Sequence, residues 1–210
     1  RTIVMVRDRK WNLALSVLTH PIASFNEMKQ KKLCSVPIAI VFLALFFVTS
    51  VLKTMYGGFM YVLTDTSTYN ALYTLIGSVG ILLLWVITNW GLCILNEGKG
   101  SLKEVFIMSS YSMAPMIVYA VVFTVITHVI PSTGTSTFSL LSTIVAIYMV
   151  LLMLIGMTVI HEYSFFKAMG MAILSVLGMV LVAFVIFSVI LLAQQFIMFG
   201  VALVEEALLR

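Results

Sequence analysis

Five long stretches of this chain, 36–55, 71–95, 105–130, 138–160 and 168–193, hold no Asp, Glu or Arg and a single lysine, Lys53, near the end of the first. A bilayer core of roughly 30 Å is crossed by about 20 helical residues rising about 1.5 Å each. Each stretch meets that length. Lipid offers no partner for free backbone groups, so each must be a helix, and the lack of period-2 alternation argues against a barrel.

Composition points the same way. The 210 residues are 62% hydrophobic and 10% charged, against about 45–50% and about 25% in a soluble domain. So few charges cannot coat a globule, and so much apolar surface cannot stay in water as a disordered chain. The fold expected is all-α: a polytopic membrane bundle of five transmembrane helices.

The segment before the first span differs. Residues 1–35 hold seven of the twelve Lys and Arg, including Lys29, Lys31 and Lys32. Trp11, Leu15 and Leu18 recur at helical spacing, as do Ile22, Phe25 and Met28 after Pro21, a residue suited to a first helical position. This reads as amphipathic helices in the headgroup layer, with Trp11, Pro21, Phe25, Lys29, Lys31 and Lys32 as interfacial residues. Packing on the chain's own inner end is the equal alternative. At the other end Gln194 and Gln195 interrupt the apolar run, and 196–210 carries Glu205 and Glu206. This is an outer-face interfacial helix or tail, or else the continuation of one long tilted span. The expected division is 1–35, 36–195 and 196–210.

Lys and Arg set orientation. The pieces 1–35, 96–104 and 161–168 hold ten of the twelve basic residues. That places the N-terminus in the cytoplasm and the C-terminus outside. The charge of +4 is then a topology signal and implies no nucleic-acid partner. Cys34 and Cys93 are expected as reduced thiols. No signal peptide is visible; the chain begins at Arg1, which leaves room for residues upstream.

Chemistry is scarce. His161-Glu162 lacks a second metal ligand, because position 165 is Phe. His20 and His128 stand alone. No span carries a charge at mid-depth, which disfavours a pump or ion-coupled transporter. Gly98 and Gly100 make a turn without a following Gly-Lys-Ser/Thr, so no phosphate loop is present. Neither a catalytic residue, a metal site nor a cofactor is expected.

Helix-packing residues are plentiful. Asn89 is the most interior strongly polar side chain and suits an interhelical hydrogen bond. In Tyr111-Ser112-Met113-Ala114-Pro115, proline deprives the Tyr111 carbonyl of its donor and should bend the helix, with a nearby hydroxyl such as Ser112, or a neighbouring span, available to satisfy that carbonyl. Ala168, Ala172, Ser175 and Gly178 put small residues on one arc of the fifth span, and Gly77 and Gly80 offer the same in the second. Packing within the chain is the plainer use of these faces; a partner helix is the other. The fourteen Met are adaptable fillers. Trp85 and Trp90 sit toward the inner half of the second span, where Trp90 suits the headgroup belt.

Three elements together carry a family resemblance. They are His20-Pro21 followed by Phe25, the turn Asn96-Glu97-Gly98-Lys99-Gly100-Ser101 leading to Tyr111–Pro115, and His161-Glu162-Tyr163-Ser164 leading to Lys167-Ala168. The chain resembles the Yip domain family, named for interaction with Ypt/Rab GTPases, over roughly residues 11–195. The resemblance implies five spans with a cytoplasmic N-terminus and supplies no catalytic residue. Eukaryotic members act in vesicle traffic between endoplasmic reticulum and Golgi and bind small GTPases. Their Asp-Leu-Tyr-Gly-Pro motif is absent from this sequence, so a small-GTPase partner is disfavoured and the chain is similar to prokaryotic members. Some of those resemble accessory components beside transport systems, notably sugar ABC importers.

The expected function is therefore a non-enzymatic integral membrane adaptor, a subunit of a larger complex in a bacterial plasma membrane. Its expected partners are the bilayer and other integral membrane proteins, such as ABC transporter permeases. The alternatives are a channel or transporter, and a membrane-traffic factor linked to a small GTPase.

Overall fold

The computed structural model describes residues 10–31, 33–56, 69–129 and 135–208, the side chains of 128, 129, 135 and 136 excepted. Lys32, Asp65 and the His128 side chain lie outside this set. Among the described residues every regular element is helical: α1 (residues 10–16), α2 (Pro21–Gln30), α3 (Val36–Tyr56), α4 (Ala71–Leu75), a π segment (Ile76–Gly80), α5 (Ile81–Leu95), α6 (Leu102–Ser112), α7 (Ala114–Val129), α8 (Thr135–His161) and α9 (Phe165–Leu208). Five candidate spans result, Val36–Tyr56, Ala71–Leu95, Leu102–Thr127, Thr137–His161 and Phe165–Leu208. The protein is an all-α bundle with five helices long and apolar enough to cross a membrane.

The third span lies at the centre. α6 packs on α3, α5 and α8, and α7 packs on α3 and α8, while α9 packs chiefly on the flank made by α5 and α8. In lipid, packing and interhelical hydrogen bonds replace the hydrophobic drive, so small residues mark the close contacts. On α6 the buried run Ser109, Ser110 and Ser112 fills that role. Ser110 and Ser112 turn their hydroxyls back onto the carbonyls of Phe106 and Met108, 2.8 and 2.9 Å away, and so present little bulk to their neighbours.

Proline shapes this span more sharply than a bend. The helix stops at Ser112 and restarts at Ala114, which makes Pro115 an early residue of α7, where no intrahelical donor is needed. Ser112 does not satisfy the Tyr111 carbonyl, as its proton goes to Met108. Instead the backbone N–H groups at the cap reach the Ser110 and Tyr111 carbonyls in a tightened turn.

The N-terminal helices are part of the bundle. Leu13, Ala14, Val17, Phe25 and Met28 belong to the core, and Phe25 is 0% exposed. A Cβ on Gly156 of α8 would touch both Met108 of α6 and the Phe25 ring, so that ring is seated against the α6–α8 junction. The expectation that Phe25 faces headgroups is corrected: an aromatic ring with no exposed surface contacts protein. The hydroxyl of Tyr148 on α8 donates to the Leu18 carbonyl at 2.6 Å and anchors the turn between α1 and α2.

α9 is one helix of 44 residues, with no break at Gln194–Gln195. Glutamine is a good helix former, so polarity there changes the surface and leaves the backbone helical. Residues 196–208 continue that helix, so the expected division at 195/196 leaves no mark on the backbone.

Candidate functional site

The segments around Lys29, 93–104 and 158–167, scattered through the sequence, meet at one end of the bundle. α5 closes with Glu97 N–H on the Ile94 carbonyl and Gly98 N–H on the Cys93 carbonyl, the two bonds of a Schellman cap. α8 closes with the same long bond, Tyr163 N–H to the Thr158 carbonyl. Both caps need a left-handed residue, and both use glutamate: Glu97 has φ 63° and Glu162 has φ 57°. A glutamate there costs on the order of 1–2 kcal/mol against glycine, a strain that calls for a compensating contact.

Glu162 has that contact. Its Oε1 lies 2.9 Å from Lys29 Nζ and its Oε2 lies 2.6 Å from Lys99 Nζ. Hydrogen bonds from Lys99 and then Lys29 pull its carboxyl down to about 2, and the same carboxylate raises the Lys99 ammonium. Lys29 also donates to the Val159 and Ile160 carbonyls at 3.0 and 2.8 Å. All three ammonium protons are thereby used, and two orphan carbonyls at the α8 C-terminus are covered.

Beside this bridge Tyr163 shares its one hydroxyl proton between the carbonyls of Cys93 and Asn96, at 2.8 and 2.9 Å. Burial raises its phenol to about 12, so it remains a donor at any physiological pH. The Lys167 ammonium sits 4.4 Å from its ring centre. His161, 1% exposed, stacks on Tyr163, and neither of its ring nitrogens has a partner. Gly98 and Gly100 pass over this imidazole; a Cβ at Gly98 would lie 2.6 Å from Nδ1 and one at Gly100 would lie 2.8 Å from Cε1. Neither glycine has a positive φ. They are required for close approach, and the left-handed turn itself falls on Glu97.

Sequence reasoning noted His161-Glu162 for the second metal ligand it lacks and for the family resemblance, and missed this assembly. One local signal was legible: Ser101 and Glu104 form a capping box that starts α6, the S-x-x-E pattern before an apolar run.

The remaining expected residues are spread through the bundle. Asn89, 0% exposed, donates from Nδ2 to Ser175 Oγ at 3.0 Å and to Met157 Sδ at 3.6 Å. Ala168 and Ser175 are buried, and Ala172 packs at the core edge. At Gly178 a Cβ would come within 2.7 Å of Thr88 and 2.9 Å of Leu92, so the small-residue arc of α9 is seated on α5. Gly77 and Gly80 make no comparable approach: a Cβ at Gly77 meets nothing within 4 Å, and one at Gly80 meets only Ile76 of its own helix. Tyr111 is buried against Phe42, ring centres 5.3 Å apart, and its hydroxyl donates to the Ser35 carbonyl. Trp11 packs on Phe42 from the other side at 6.4 Å. Pro21 opens α2, and Lys31 pairs with Glu27 one turn back. Both cysteines are free thiols, and burial raises the thiol of Cys34. Among the described residues no group of three His, Cys, Asp or Glu could hold a metal.

The arrangement defines a class: an integral membrane helix bundle whose polar residues cap and cross-link helices. The family model of the Yip1 domain matches residues 15–187, and the chain belongs to that family. The three elements that carried the resemblance all lie inside the matched range. No curated protein and no solved structure matches the chain. Yip1-domain proteins are membrane proteins not known as enzymes.

Proposed function

We propose that this protein is a non-enzymatic membrane adaptor, an accessory or assembly subunit of a larger integral membrane complex. One observation carries the reading. α9 is 44 residues long, its most apolar stretch has mean hydropathy 3.1 and is 0% buried, and its buried residues are Ala168, Met171 and Ser175, close to its start. A helix of that length extends about 66 Å, roughly twice the hydrocarbon thickness. Lipid covers one span of it. The apolar side chains beyond, such as Phe196, Phe199 and Leu203, are 74%, 64% and 51% exposed. Their chemistry suits an apolar helix of another membrane protein, and a permease of an ABC-type sugar importer is the specific partner class proposed.

A photo-crosslinking residue at Phe199, with a second at Ile186 inside the lipid-covered part, tests this in native membranes. The expected result is a discrete adduct with one integral membrane protein from Phe199. Lipid adducts alone from both positions would remove the adaptor reading. Adducts with a membrane protein outside transport systems would remove the importer assignment.

The orientation proposed has the Lys29–Glu162–Lys99 end in the cytoplasm of a bacterial plasma membrane. It rests on the basic residues gathered there and the rule that such residues stay inside. A cysteine placed at Lys99 should resist an impermeant thiol reagent in intact cells. Labelling of intact cells at that position would reverse the assignment.

A further inference from the structure

The turn between α5 and α6 covers a histidine that has nothing to bond to. His161 is 1% exposed, and both its ring nitrogens are buried without a partner. The backbones of Gly98 and Gly100 lie over the ring so closely that a Cβ on them would stand 2.6 and 3.0 Å from Nδ1. Tyr163 stacks on it, ring centres 5.5 Å apart.

This setting holds a neutral ring and no other. An imidazolium brings a charge and two N–H donors, and among the described residues no acceptor meets either nitrogen. The groups around it are already committed. Lys29 of α2 and Lys99 of the turn bring like charge, and Glu162 is bound to both. Glu104 of α6 takes the Ser101 N–H and hydroxyl at 2.9 and 2.8 Å in its capping box. Glu97 of the turn is exposed, and Cys93 of α5 is a free thiol. The Tyr163 hydroxyl donates to the Cys93 and Asn96 carbonyls, and Lys167 of α9 lies over the Tyr163 ring.

Proton uptake at His161 therefore requires the turn to lift. Three ties hold it down: Gly98 N–H on the Cys93 carbonyl at 2.7 Å, the Tyr163 hydroxyl on the Asn96 carbonyl at 2.9 Å, and the solvent-facing Lys99–Glu162 pair at 2.6 Å. Residues 98–101 belong to no helix. A segment held by so little opens at lower cost than the spans on either side. Once it lifts, the imidazole meets water and takes a proton near its ordinary value of about 6.5.

We propose that residues 96–101 form an acid-released latch, shut over the ends of α5 and α8 while His161 is neutral and held open when His161 is protonated. Opening takes Lys99 from Glu162 and the Asn96 carbonyl from Tyr163, and so loosens the joint between the second and fourth spans. Glu162 stays charged meanwhile, its carboxyl being held at about 2. The latch stands apart from the adaptor reading and neither requires nor excludes it.

Hydrogen–deuterium exchange of the purified full chain in mild detergent tests this, read as protection factors corrected for the intrinsic rate at each pH. In the native protein the protection of the Gly98 amide should fall about tenfold per pH unit below about 6.5, because each opening then takes up one proton. The amides of 148–157 in α8 should keep their protection, which shows the bundle intact. His161→Leu, similar in volume and without a titrating group, should stay protected across the same range. Gly98→Ala, whose methyl would stand 2.6 Å from Nδ1, should be unprotected at neutral pH and show no slope. A flat native profile would overturn the proposal. So would a slope that survives His161→Leu, a fall shared by 148–157, or a Gly98→Ala profile that follows the native one.

Discussion

Lys29 reaches across one end of the bundle to Glu162, Nζ to Oε1 at 2.9 Å, and ties the N-terminal helices to the end of the fourth span. The other oxygen of Glu162 holds Lys99, so one carboxylate joins three segments distant in sequence. The carboxyl titrates at about 2, below its ordinary 4.5, because both lysines favour its charged form. A group held low in the folded state contributes stability above its ordinary value and loses it as pH falls toward the folded one.

The native protein should therefore lose melting temperature steadily between pH 4.5 and about 2, and Glu162→Gln should be less stable at neutral pH with a flatter profile over that window. Tryptophan-fluorescence melts in mild detergent measure both. Added salt should narrow the gap, since Glu162 and Lys99 face solvent. Coincident profiles for the two proteins would mean the bridge is not formed.

Phe25 discriminates between a helix on lipid and a helix in the bundle. With its ring at 0% exposure, Phe25→Ala should cost about 3–5 kcal/mol, the usual penalty for emptying an aromatic site. Ile22, on the same helix and 60% exposed, should tolerate alanine within about 0.5 kcal/mol. Equal, small effects at the two positions would place α2 on the headgroups after all.

Two glycines of α9 should respond in opposite directions. Gly178→Ala puts a methyl 2.7 Å from Thr88 and 2.9 Å from Leu92, an overpacking worth about 1–3 kcal/mol of destabilisation. At Gly170 a Cβ meets nothing within 4 Å, so Gly170→Ala should stabilise by about 0.5–1 kcal/mol through helix propensity alone. Thermal melts of the two variants should move apart; movement in the same direction would mean the α5–α9 contact is absent.

The resemblance and the spans were both legible because they rest on local chemistry. An uncharged run has one fate in lipid, whatever its neighbours do, so all five spans emerge where the hydropathy places them. Asn89 was legible as a polar group needing a partner, and the small residues of α9 as a face needing a neighbour. That Ser175 is the partner and α5 the neighbour depended on which helices lie side by side. The glycines of the second span show the reverse: the same residue type makes no close approach to another helix there.

By itself, then, the sequence determined the solvent, the helical class, the place of the five apolar runs and a disturbance of the third span near Pro115, because hydrocarbon and a missing backbone donor act on each segment independently of the rest. Tertiary structure decided that Phe25 is buried, that α9 runs on unbroken past Gln195, that Glu162 bridges two lysines, and that Gly98 and Gly100 close over His161. Each of these depends on which surfaces face each other across the bundle. Packing between distant segments sets that, and no single window of the chain contains it.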